Sequence, residues 1–176
     1  MISLSVLFWI LIIIFAAVGA IRGWIKEILV TASVILALFT IFLLEKYYPV
    51  FSDTASLENP FALRIVILGV LTFFGYQGPR FLSLIRDQKH LRDKLGNFLL
   101  GAISGAFNGY MIFGTAWYFL DQAGYPFDWI SAPSSVTQVG QSVINLIEIL
   151  PPNWLIEPTI YVAVAIALGL ILIAFI

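Results

Sequence analysis

Cysteine is absent, histidine occurs once, and only 11% of the residues carry charge. Without cysteine the chain has no disulfide, no thiolate nucleophile and no thiolate metal ligand. The single imidazole, His90, lies in a basic stretch, where it is expected to face solvent or lipid headgroups. One histidine forms neither a metal site nor a catalytic triad unless carboxylates or a serine converge on it, and no such cluster is visible. The shortage of charge excludes more. Soluble domains carry about 25% charged residues, whereas 61% of these 176 residues are hydrophobic and the mean hydropathy is +1.00. An integral membrane protein is therefore expected, with no catalytic residues, no metal site, no cofactor and no nucleic-acid partner. Neither an internal repeat nor a Gly/Ser- or Pro-rich linker divides the chain, so residues 1–176 are read as a single transmembrane domain.

What is present is a set of long apolar runs. Hydropathy marks them at about 2–21, 28–44, 61–78, 95–120 and 159–176. At 1.5 Å rise per residue, roughly 17 to 25 apolar residues cross the hydrocarbon core, so each run is long enough to span it. The first has no basic residues before it and is followed after a short turn by another, which favours a retained helix over a signal peptide. The expected fold is all-α: a polytopic transmembrane helix bundle of about five spanning helices plus one amphipathic interfacial helix.

Basic residues near span ends are retained on the cytoplasmic side. Arg22, Lys26, Arg80, Arg86, Lys89, Arg92 and Lys94 fall in the first and third connections, and only Lys46 and Arg64 fall beside the opposite ends. The 121–158 connection holds no Lys or Arg, while most acidic residues lie on its side. An N-terminus outside and a C-terminus in the cytoplasm follow as the expected topology. Arg86, Lys89 and Arg92 are expected to rest on anionic headgroups. Tyr47, Tyr48, Trp117, Tyr118, Trp129, Trp154 and Tyr161 would mark the outer boundary, and Trp24 and Tyr76 the inner one.

Within the long outer connection, Val136, Val139, Val143, Ile147 and Leu150 recur at helical spacing, with Thr137, Gln138, Gln141, Asn145 and Glu148 on the other face. This predicts an amphipathic helix over about 134–150, capped by Ser134 or Ser135 and ended by Pro151-Pro152, which either lies in the interface to cover the loop or forms a lid or docking surface over the bundle. Asp121 and Asp128 flank Tyr125-Pro126-Phe127, a sequence that suits a surface turn better than a cation site.

Glycine is the other abundant feature. Gly101, Gly105 and Gly109 lie four residues apart in the fourth run, after Asp93-Lys94, and therefore share one helix face. Such a face lets another backbone approach closely. Gly19 and Gly23 close the first run and are a plausible partner for it, as is the small-residue stretch at Ala32, Ser33 and Ala37. In the turn that follows, Arg22 is within reach of Glu27 or of lipid phosphate; the pair reads either as a latch or as an ordinary interfacial ion pair worth little. Asn97, Ser104, Asn108, Thr115, Thr31, Ser33, Thr40 and Thr72 are the polar groups of the runs, suited to interhelical hydrogen bonds or to a narrow neutral path. No ionisable group is expected deep in the bilayer.

The Gly-x-x-Arg-Gly-x-x-x-Glu pattern at Gly19, Arg22, Gly23 and Glu27, with Asp93-Lys94 ahead of the glycine ladder, resembles the colicin V production protein (CvpA) family from Met1 to about Leu120. That resemblance implies a bacterial inner-membrane protein connected with toxin export and envelope physiology, with Arg22, Glu27, Asp93 and Lys94 as its cytoplasmic charge motif. The chain departs from the family pattern at Ser3 and Ser5, where many members carry an Asp, and at Ser104 or Asn108, where an Arg often precedes a ladder glycine. Three functions remain in view: an accessory protein working through protein contacts, a structural subunit of a larger membrane complex, and an oligomeric channel or flippase-like conduit. The partners expected are the lipid bilayer and a membrane protein or further copies of the chain.

Overall fold

The computed structural model describes residues 4–48, 60–82, 94–128, 130, 132–134 and 136–175. Among these it is all-helical, with α1 at Leu4–Arg22, α2 at Trp24–Tyr47, α3 at Pro60–Leu82, α4 at Lys94–Gln122, α5 at Gln138–Glu148, α6 at Pro151–Trp154 and α7 at Thr159–Phe175. Four of the helices, α1 to α4, are long and apolar enough to cross a membrane. Helix α7 is apolar but has 17 residues, the short end of the spanning range.

The second helix starts at Trp24, not at residue 28 as hydropathy suggests. Only Gly23 separates it from α1, and its φ of 86° is a left-handed conformation that glycine adopts without a Cβ clash. The early start has a consequence: Glu27 enters the first turn of α2 and points into the bundle instead of sitting in a loop.

Helices α1 and α4 form the tightest contact and run antiparallel, Gly19 lying against Gly101 and Gly105, Phe15 against Gly105 and Gly109, and Ile12 against Gly109. A Cβ on Gly105 would fall 2.8 Å from Gly19 Cα and closer still to the Phe15 carbonyl oxygen. The partner of the glycine ladder is therefore α1. Ser33 of α2 instead faces Gly75 of α3.

Two apolar cores flank this seam. Val30, Val34, Leu38 and Ile41 of α2 meet Leu68 of α3, Met111 and Phe119 of α4, and Ile160 of α7. On the other side Phe8, Trp117, Leu120 and Tyr125 receive Ile147 and Leu150. Helix α5 begins four residues later than the spacing predicts, because Thr137 is its cap and accepts from the Gly140 amide at 3.1 Å. Ser134 forms the preceding turn, its carbonyl accepting from the Thr137 amide; Ser135 lies outside the described residues. Pro151-Pro152 ends α5 and also opens α6, where proline's fixed φ and missing N–H suit a first turn.

Candidate functional site

Near the Gly23 turn the four long helices share a polar cluster centred on Glu27, which is fully buried. Arg22 Nη1 donates to Glu27 Oε1 at 2.8 Å. Asn108 Nδ2, from α4, donates to Glu27 Oε2 at 2.8 Å and to the Glu27 carbonyl at 2.9 Å. Thr31, one turn along α2, donates its hydroxyl to Asn108 Oδ1 at 2.7 Å, with the Glu27 carbonyl at 3.1 Å as the longer acceptor. The Asn108 amide can point only one way here: reversing it would set its oxygen against a carboxylate and a carbonyl, both pure acceptors. Arg22 Nη2 also donates to the Tyr76 carbonyl at 3.2 Å, and its guanidinium lies 4.3 Å from the centre of the Tyr76 ring. Phe15 meets the edge of that ring.

The local reasons are short-range. Glu27 and Thr31 are four residues apart and share a helix face, so both reach Asn108. Glu27 also sits in the first turn of α2, where unpaired amides favour negative charge. Gly105 and Gly109 bracket Asn108 and let α1 pack closely there through Phe15 and Gly19, while Arg22, nearer the Gly23 turn, reaches Glu27 with its side chain. At 1.5 Å per residue, Glu27 is about 6 Å and Thr31 about 12 Å beyond the Gly23 turn. An ionisable side chain at such a position in a membrane bundle needs a partner and marks a functional site by default.

This corrects one expectation: a titratable group does lie inside the bundle. Of the two readings of the Arg22–Glu27 pair, the exposed interfacial one does not fit the burial, since the carboxylate has no solvent access and Arg22 keeps 20%. Hydropathy missed it because a run that starts at residue 28 leaves Glu27 in the loop. The i, i+4 spacing of Glu27 and Thr31, read on a helix beginning at Trp24, is the signal that would have found it.

The remaining predicted residues scatter. Gly19, Gly101, Gly105 and Gly109 line the α1–α4 seam, and Gly23 abuts the Asn97 side chain. Lys94 is exposed at the start of α4. Asp93, Arg86, Lys89, Arg92 and His90 lie outside the described residues. Ser33 and Thr40 donate back to the Leu29 and Leu36 carbonyls of their own helix. Thr72, Tyr76 and Thr115 bury hydroxyls that have no partner among the described residues. At the opposite end of the bundle, Arg64 pairs with Glu45 at 2.7 Å, while Lys46 pairs with Glu157 at 2.7 Å. Among the described residues no three His, Asp or Glu side chains gather as a metal site. Beyond the end of α4, Tyr125 accepts from Trp117 Nε1 at 3.3 Å, and burial pushes its hydroxyl up to about 12.

No family model, curated protein or solved structure matches the chain. The family resemblance consequently rests on the residues quoted for it, of which Gly19, Arg22, Gly23 and Glu27 belong to the cluster and its seam.

Proposed function

We propose that the chain is an integral membrane accessory protein of the CvpA type, which supports toxin export or envelope maintenance through helix packing and contacts with membrane-protein partners. It would reside in the bacterial inner membrane with α7 as a fifth span, its N-terminus outside and its C-terminus in the cytoplasm, and carry out no catalysis. The observation that supports this reading is the way the polar groups of the seam are used. Arg22, Glu27, Asn108 and Thr31 satisfy one another across α1, α2 and α4, with Arg22 also bound to the α3 backbone, which suits a rigid packing platform better than a moving carrier. Extraction in mild detergent followed by affinity capture and mass spectrometry tests it: a partner retained by the native chain and lost with Gly105→Ile supports the reading, and capture of the chain alone refutes it.

A second reading, an oligomeric conduit, draws on the buried Glu27 and on the hydroxyls of Thr72, Tyr76 and Thr115, which have no partner among the described residues. Ion flux in proteoliposomes that disappears with Glu27→Gln would favour it.

A further inference from the structure

The connection between α4 and α7 is sunk along the side of the bundle. Leu150 and Pro151 close on Gly114 so tightly that a Cβ there would lie 2.9 Å from Pro151 Cδ and 3.1 Å from Leu150 Cδ2. Tyr110, one turn further from the end of α4, donates its hydroxyl to the Ile149 carbonyl and accepts the Trp154 indole N–H at 3.1 Å. Asn153 fastens α6 to α5 by donating to the Ile147 carbonyl at 2.9 Å.

The depth of this contact follows from the α1–α4 register. Gly23 abuts Asn97 and Gly19 abuts Gly101, so Arg22 lies level with residues 97–101 of α4. A hydrocarbon core of about 30 Å takes up about 20 residues at 1.5 Å each, which sets the opposite boundary near Trp117 and Tyr118, residue types that gather at such boundaries. Gly114 is then about 5 Å inside that boundary. Helices that lie in the membrane surface bury their apolar faces to about 5–10 Å.

Helix α5 presents an apolar face longer than the bundle covers. Ile147 and Leu150 are buried and Val143 packs beside them, but Val139 is 70% exposed and Val136, in the turn before the helix, is 90% exposed. Gln138, Gln141, Ser142, Asn145 and Glu148 are exposed around the rest of the helix, and none is basic. We propose that α5 lies in the membrane surface, with Val136 and Val139 entering the acyl boundary and lipid as the occupant of this face. Ile149 to Pro151, which follow directly on the helix, already lie at that depth, and the uncovered apolar residues of α5 continue from Ile147 and Val143, which pack against the spans. With no cation on α5, the contact is apolar and is satisfied by zwitterionic lipid, unlike the charge-driven docking of basic amphipathic helices.

A cysteine-free chain allows single-site labelling. Val139→Cys and Gln141→Cys carry an environment-sensitive fluorophore in phosphatidylcholine liposomes, with nitroxide lipids labelled near the headgroup or near the bilayer centre. The Val139 label is expected to be quenched at least about twofold more than the Gln141 label, more strongly by the shallow nitroxide, with no change when phosphatidylglycerol is added. Equal quenching at the two positions overturns the proposal. So does Val139 protection that is lost when the protein is diluted in lipid, which assigns the face to a second copy. Val136→Cys repeats the measurement at an independent exposed site, and all three variants must elute as the native chain does.

Discussion

Adding one methyl group to Gly105 should separate the two kinds of glycine in this chain. Its Cβ would fall 2.8 Å from Gly19 Cα and 3.1 Å from Gly19 N, and nearer still to the Phe15 carbonyl oxygen, all of it backbone that cannot rotate away. Helix α1 must therefore move, and overpacking of this kind costs about 1–3 kcal/mol. The displacement also draws Arg22 from Glu27, which adds to the cost, so Gly105→Ile should exceed Gly105→Ala. At Gly69 and Gly169 a Cβ meets nothing within 4 Å. There alanine gains helix propensity of about 1 kcal/mol relative to glycine, and the sign reverses. Reversible unfolding in mixed micelles, followed by helical circular dichroism across the four variants, measures the difference. Gly105→Ala as stable as Gly169→Ala would refute the packing argument.

Replacing Glu27 by Gln leaves Arg22 without its counter-charge and should destabilise the bundle by about 3–5 kcal/mol, less if Arg22 swings out through its exposed edge; the Arg22→Met, Glu27→Met pair should recover much of this, as a double-mutant cycle in the same micelles will show. Thr137→Val removes the cap of α5 and should cost about 1 kcal/mol, loosening α5 without disturbing the spans, read as faster amide exchange confined to residues 138–148. The raised Tyr125 hydroxyl works against stability at high pH: the unfolded chain ionises near 10.0 and the folded one at about 12, so stability present below pH 10 is lost as pH rises through that window. A Tyr125→Phe variant should show a shallower alkaline decline than the native chain in paired pH titrations, and parallel curves would remove Tyr125 from the account.

Hydropathy and spacing alone determined a great deal. Long apolar runs with few charges have no stable home in water, so a membrane helix bundle and the rough position of the long apolar helices follow from composition and length, whereas the short helix at Pro151–Trp154 does not. A glycine recurring every four residues names a packing face in any helix, and Gly101, Gly105 and Gly109 were legible as one before their partner was known. The partner itself was not. Both Gly19 and the Ala32–Ala37 stretch offer small residues, and only the register of α1 against α4, fixed by side chains as distant as Phe8 and Trp117, selects the first. Boundaries were lost for a related reason: hydropathy averages over a window, so it smooths away a one-residue turn at Gly23 and the charged first turn of α2. Glu27 looked like a loop residue because its polarity was counted against burial. Its environment is made by Arg22, Asn108 and Thr31, which three helices bring to it, Asn108 from 81 positions away in sequence. No local pattern encodes that meeting; it exists only where the glycine seam lets α1 and α4 close.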